Sequence, residues 1–206
     1  MRRKKENIGL ECKGVGMIQI SYLHMVIFVS VLWLIVRTVV WTKQKHANWK
    51  RELQLLLVYI CLLVVARFTF CPFGKVDGKI LPLVFYKENW FPFRINLLPF
   101  VYLFDYPVFK EALLNFIGNT AMFIPIGIIW PVVYKKLDTS WKVIAAGSGF
   151  SLCIEILQLP FYDRVSDIDD LVLNSLGYVI GYGIYCVVKL CRMKRVDKKN
   201  NMEKGV

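Results

Sequence analysis

The sequence predicts an all-α fold, a multi-pass bundle of about five membrane-spanning helices. Three observations lead there. Of the 206 residues 56% are apolar, and the mean hydropathy is +0.47, too high for an ordinary soluble domain of this length. The apolar residues fall in five blocks, at about 17–41, 53–70, 112–134, 143–160 and 168–188, each close to or above the ~18 residues that cross a bilayer. Three of these blocks begin or end with polar side chains at helical spacing, all at one end of the expected bundle.

Taken in order, the first run is about 25 residues long, well beyond the ~7–15 of a signal h-region, and no small-x-small cleavage site follows it. It is therefore expected to remain as a span. Arg37 near its end and Arg67 near the end of the second run are placed to snorkel to the interface. In the third run Asn115, Gly118 and Asn119 share one helix face, and Pro125 leaves the carbonyl of Ala121 without its helical donor, which predicts a kink. The fourth carries Ser148, Ser151, Glu155 and Gln158 at steps of three and four, and Pro160 stops it. The fifth opens with Asp167, Asp170, Asn174, Gly177 and Gly181 on one face. Its upper half is polar, and its lower half is bare backbone that admits another helix closely, within this chain or from a second copy. Asp167 suits an N-cap, with Asp169 and Asp170 in the first turn.

Between the second and third runs lies a loop rich in proline and aromatics that holds Arg94 and Asn96. Phe91, Pro92, Phe93, Phe100, Tyr102, Phe104 and Tyr106 predict an interfacial or re-entrant segment at headgroup depth. The chain thus divides into an N-terminal two-helix segment with a basic loop (1–70), a membrane domain (71–188) and a basic tail expected to be disordered (189–206).

The net charge of +12 flanks the spans, so topology explains it before any nucleic-acid reading does, and no nucleic-acid motif accompanies it. Lys43, Lys45, Lys50 and Arg51 share one side with Lys135, Lys136, Lys142 and the tail. By the positive-inside rule that side, with the C-terminus, is cytoplasmic. The acidic turn at 160–170 and the loop at 71–111 are then outside, and so is the N-terminus, although Arg2, Arg3, Lys4 and Lys5 pull it the other way. If the first run does not span, the other four keep their orientation. Six scattered cysteines show no C-x-x-C pair, and Cys12 with Cys71 is a conceivable disulfide on the outer side.

Singly, each polar residue reads as helix glue or a cap. Together, three coherent stripes at one depth predict a shared polar pocket near the outer leaflet, because ionisable groups at membrane depth are costly and mark working sites. Its candidate residues are Arg94, Asn96, Asn115, Asn119, Glu155, Gln158, Arg164, Asp167, Asp170 and Asn174, with the two arginines as cationic partners of the carboxylates. The two histidines, His24 in mid-span and His46 in an inner loop, cannot reach this cluster, which disfavours histidine-dependent hydrolysis and histidine-ligated zinc. No P-loop or dinucleotide fingerprint appears, and no cofactor or resident metal is expected; only a hard cation would suit the oxygen donors.

At these same residues the chain resembles the VanZ-like family of bacterial membrane proteins. The matching pieces, in the family's order, are Arg94-x-Asn96-x-x-Pro99-Phe100, then Asn115-x-x-Gly118-Asn119-x-x-x-Phe123-x-Pro125-x-Gly127, then Glu155-x-x-Gln158. The last is Arg164-x-x-Asp167-x-x-Asp170-x-x-x-Asn174-x-x-Gly177-x-x-x-Gly181. The resemblance implies a cell-membrane protein of four or five spans and a link to low-level resistance to teicoplanin-type glycopeptide antibiotics. The residues are compatible with three activities. One is binding of an envelope lipid or lipid-linked cell-wall precursor, whose polar, anionic headgroup would meet Arg94 and Arg164. The second is an enzyme acting on such a lipid through Glu155, Asp167 and Asp170. The third is a small transporter, disfavoured because the polar groups sit at one end and no inverted repeat is evident. The expected partners are membrane lipids; the oligomeric state is not encoded in any visible motif.

Overall fold

The computed structural model of the chain describes residues 17–44, 48–71, 75–76, 79–80, 82–86, 93–99, 109–137, 139–161 and 164–204. It contains five helices, α1 (Tyr22–Lys43), α2 (Trp49–Phe70), α3 (Phe109–Val133), α4 (Ser140–Gln158) and α5 (Ile168–Lys204). All five are long and apolar enough to cross a membrane. Helices are the natural answer to such a sequence, because hydrocarbon offers no partner to a backbone N–H or C=O and a helix satisfies both internally.

The first run opens differently from the expectation. Met17–Ile20 form a strand, β1, and the helix starts only at Tyr22. Two further short strands are β2 (Lys75–Val76) and β3 (Lys79–Ile80), which pair with each other; β4 (Leu83–Tyr86) pairs antiparallel with β1, Ile20 opposite Leu83. Ser21 supplies the reason for the late start. Its hydroxyl accepts from the His24 N–H at 3.4 Å while the His24 ring accepts from the Ser21 N–H at 3.2 Å, a reciprocal cap. His24 is therefore in the first turn of α1 rather than in mid-span. Arg67, near the end of α2, lies 5.8 Å over the Tyr22 ring, which puts His24 at the same end of the bundle as the polar cluster. His46, and the aromatic positions 91, 92, 100, 102, 104 and 106, lie outside the described residues, as does Cys12, the partner considered for Cys71.

Arg37 does not snorkel. It is the one buried residue of α1 among those described, and its guanidinium makes two hydrogen bonds to Glu52 in the first turn of α2, Nε to Oε2 at 3.1 Å and Nη2 to Oε1. Burial of Arg37 against the half-buried Glu52 turns an interfacial cation into a clasp between α1 and α2. One side of α1 exposes Leu23, Ile27, Phe28, Leu34 and Ile35, as suits a helix facing lipid, while Trp33 packs toward α2 and α3.

The core lies among α2, α3, α4 and α5. Val65, Met122, Phe123, Ile126, Val143, Ile154 and Tyr178 form its buried centre, so α2, placed by the sequence with the N-terminal segment, packs with the helices that follow it. α3 remains helical across Pro125 and Pro131. Gly177 and Gly181 face α3 of the same chain: a Cβ at Gly177 would collide with the Thr120 carbonyl, and one at Gly181 with the Ile124 carbonyl. Tyr178, fully buried, sets its ring against Gly147 of α4 and its carbonyl against Gly127 of α3. Small residues on facing helices thus let three backbones meet around one aromatic ring.

The tail expected to be disordered continues α5 as helix to Lys204. Lysine and arginine are good helix formers and favour a helix C-terminus, where their charge opposes the macrodipole. At 1.5 Å per residue the 37-residue helix is about 55 Å long, against ~30 Å of hydrocarbon, so its basic end projects beyond the bilayer.

The glycine contacts lead to a specific expectation. Gly181→Ala forces α5 away from α3 and costs about 1–3 kcal/mol of stability, whereas Gly183→Ala, with nothing within 4 Å of the added carbon, leaves it unchanged. Thermal unfolding of both variants in the same detergent checks this; equal shifts would contradict the packing described.

Candidate functional site

The site is assembled where four helix ends meet: the C-termini of α2 and α4 and the N-termini of α3 and α5. Because the polar residues of α3, α4 and α5 recur at steps of three and four, each stripe occupies one face, and the three faces converge beside the end of α2. Between them is a cavity of about 160 Å³, lined by Phe68, Thr69, Asn115, Asn119, Glu155, Gln158, Arg164, Val165, Asp170 and Asn174.

On α3, Asn119 donates through Nδ2 to Asn115 Oδ1 at 3.2 Å and to Asp170 Oδ1. This ties α3 to α5 directly above the glycine contacts. On α4, Glu155 and Gln158 are each 4% exposed. Gln158 donates to the Thr69 carbonyl at 2.7 Å and so satisfies an acceptor in the last turn of α2 that has no helical donor. Asn174 of α5 donates to the Ser151 hydroxyl at 3.0 Å.

The wall on the α5 side is built by a two-residue parallel ladder between β5 (Ile95–Asn96) and β6 (Ser166–Asp167). The Ser166 N–H donates to the Arg94 carbonyl at 3.0 Å. Asn96 donates to both carboxylate oxygens of Asp167 at 3.1 Å and accepts from the Leu98 N–H at 3.1 Å. Asp167 in turn accepts from the Asp169 N–H at 2.9 Å, the expected cap of α5. Its own N–H donates to Glu155 Oε2 at 2.9 Å. Asp167 therefore links the loop, α5 and α4.

Seven of the ten sequence-predicted residues line the cavity: Asn115, Asn119, Glu155, Gln158, Arg164, Asp170 and Asn174. Asn96 and Asp167 brace its wall instead, and the Arg94 side chain is exposed outside it. Of the two arginines expected to serve the carboxylates, Arg164 lines the cavity, close enough to act on the charge of Asp170. Outside the spans, burial pushes the Cys71 thiol up, against the opposing pull of Arg67 and Arg164. His24, although at this end, engages Ser21 and is not among the cavity's lining residues.

Sequence reasoning missed Phe68, Thr69 and Val165 in the lining and the pairing role of Ser151. Thr69 contributes through its main-chain carbonyl, while its hydroxyl bonds back to the Val65 carbonyl at 2.8 Å. No side-chain pattern encodes such a contribution; the available signal was that α2 ends at the depth where the stripes lie. Among the described residues no three His, Cys, Asp or Glu side chains converge as a metal site.

Chemically, the cavity holds two carboxylates, one guanidinium and four amides. Asn174 is 1% exposed, and its Oδ1 has no hydrogen-bond partner among the described residues. A buried acceptor left unpaired costs about 1–3 kcal/mol, so it is a position where an incoming donor gains.

A helical bundle of membrane-length spans closed over a polar cavity at one end defines an integral membrane protein of the small multi-pass class. The VanZ/LLP1 family model matches residues 56–189, and the chain belongs to that family. It is similar to Protein VanZ of Enterococcus faecium, 29% identical over 125 residues that cover 60% of this chain and 70% of that protein. No solved structure matches it. The match begins inside α2, in keeping with the packing of that helix on α3 and with the Thr69 carbonyl in the site.

Asp167 joins three elements, and its removal should be felt in all of them. Asp167→Ala removes a cap and a charge-assisted bond, an expected loss of about 2–4 kcal/mol. In that background Asn96→Ala should add little, since its partner is already gone. Unfolding of the single and double variants in detergent measures the coupling, and strictly additive losses would contradict the hub.

Proposed function

We propose that this protein binds an envelope lipid or lipid-linked cell-wall precursor, receiving part of its headgroup in the polar cavity, and that this binding contributes to glycopeptide resistance of the teicoplanin type. The observation that carries the reading is the unpartnered Asn174 oxygen, buried in a cavity shared with Glu155 and Asp170. Buried acceptors are ordinarily paired, and this one belongs to a residue bordering a space that a donor could enter.

The lining also bears on which part of a headgroup fits. Two carboxylates face one guanidinium, so hydroxyls or an ammonium suit the interior better than a phosphate does. The phosphate belongs outside, where the Arg94 side chain is exposed and offers bidentate geometry. About 160 Å³ accepts a headgroup fragment and not a lipid tail, which would lie along the spans. The cavity faces outward in this reading. Its support is that Lys43, Lys50, Arg51, Lys135, Lys136, Lys142 and the basic end of α5 all lie at the opposite helix ends, the cytoplasmic side by the positive-inside rule.

A second reading, an enzyme acting on the same lipid, draws on the two buried carboxylates in one cavity, either of which has the position of a general base. The two readings separate on product. Native purification followed by mass spectrometry of co-purified lipids should show an enriched lipid that Glu155→Gln and Asn174→Leu lose at unchanged membrane abundance. Where resistance is measurable, the same variants should lower it to the level of cells lacking the protein. A chemically altered lipid that appears only in cells carrying the wild type would favour the enzyme. Loss of abundance in every variant would reduce the pocket to a folding element.

A further inference from the structure

At the opposite end of the bundle, a groove of about 400 Å³ lies between α3, the turn that follows it and α5. Its floor is apolar, with Ile128 and Val132 from α3 and Val188 from α5; its rim carries Lys135, Lys189 and Arg192. On α5, Arg192 follows Lys189 by three residues and Val188 by four, so it lies one turn beyond both on the same side of the helix. Among the described residues none of the three cations has a carboxylate within ion-pair distance.

Depth identifies the occupant. Lys189 and Arg192 lie 21 and 24 positions after the first residue of α5, about 32–36 Å along its axis, where ~30 Å of hydrocarbon has just ended. The rim is thus at phosphate depth and the floor reaches back among acyl chains. A soluble anion would leave the floor bare, and a neutral lipid would leave the cations unmatched.

We infer that this groove is a binding site for an anionic phospholipid, whose phosphate is held by Lys135, Lys189 and Arg192 and whose acyl chain lies along Ile128 and Val132. It is separate from the polar cavity and does not depend on what that cavity binds. Basic hollows between spans are where anionic lipids are recognised in general. The helical continuation of α5 presents Lys189 and Arg192 one turn apart, on the same helix that supplies Val188.

The test uses the full chain, purified in mild detergent, delipidated and titrated with phosphatidylglycerol or with phosphatidylcholine of the same acyl length, with bound lipid counted by native mass spectrometry. Phosphatidylglycerol should bind at least about tenfold more tightly, and the preference should fall with added salt. The combined variant Lys135→Gln, Lys189→Gln, Arg192→Gln should abolish the preference, whereas Arg192→Lys retains it. Val132→Trp, which fills the floor without touching charge, should weaken binding of phosphatidylglycerol at least fivefold. Equal affinity of the wild type for the two lipids would overturn the inference. So would a preference that survives the triple variant, or one that disappears only when Lys194, Arg195 and Lys198 of the projecting helix are neutralised instead.

Discussion

The backbones of α3 and α5 meet without intervening side chains, and the rest of the bundle is arranged around that contact. At Gly177 and Gly181 no side chain stands between the two helices, so the carbonyls of Thr120 and Ile124 lie against α5 itself. In hydrocarbon there is little hydrophobic drive to bring helices together, so association rests on packing and on polar contacts. The glycines supply the first, and they set the spacing that allows the second: Asn119 reaches Asp170 one to two turns above. Tyr178 completes the geometry by filling the gap to α4 against Gly147.

Above that contact the chain places costly groups where the cost is offset locally. Glu155 accepts from the Asp167 N–H, Gln158 satisfies the Thr69 carbonyl, and Asn174 meets Ser151. Asp167, itself held by Asn96 and capping α5, connects the loop to two helices. Among the described residues buried polar atoms are also left open along the core, at Thr120, Trp130 and Tyr178, and one lies in the cavity lining. That one, Asn174 Oδ1, belongs to a residue of the lining rather than to the braces around it. Membership of the VanZ/LLP1 family fits this arrangement, since the matched residues run from within α2 to the end of the α5 span and so enclose the whole cavity.

The two ends of the bundle differ in kind. One is a small enclosed polar space with carboxylates and amides, the other an apolar groove rimmed by lysine and arginine. The same asymmetry of charge underlies the orientation expected from the positive-inside rule. Between them, α1 is fastened by the Arg37–Glu52 clasp, by the Ser30–Tyr59 hydrogen bond, by Trp33 against Tyr59 and by β1 pairing with β4.

Sequence by itself determined the class of fold, the positions of the spans to within a few residues, and the polar faces, because helical periodicity and apolar length are local properties written residue by residue. The motif residues between Arg94 and Gly181 likewise pointed to the family. Only the tertiary structure decided how those faces combine. It showed that Asp167 and Asn96 brace the wall while Arg94 stands outside it, that Arg37 pairs inward with Glu52, and that His24 caps α1 at the end where the cluster lies. It showed too that the glycine face meets α3 of the same chain. These outcomes depend on which groups from distant segments come within about 3 Å of one another, and on main-chain atoms such as the Thr69 carbonyl that no side-chain pattern announces. The helical continuation of α5 is an intermediate case: its propensity was present in the lysines and arginines, but a charged, polar composition read as disorder until the helix before it provided a nucleus to extend.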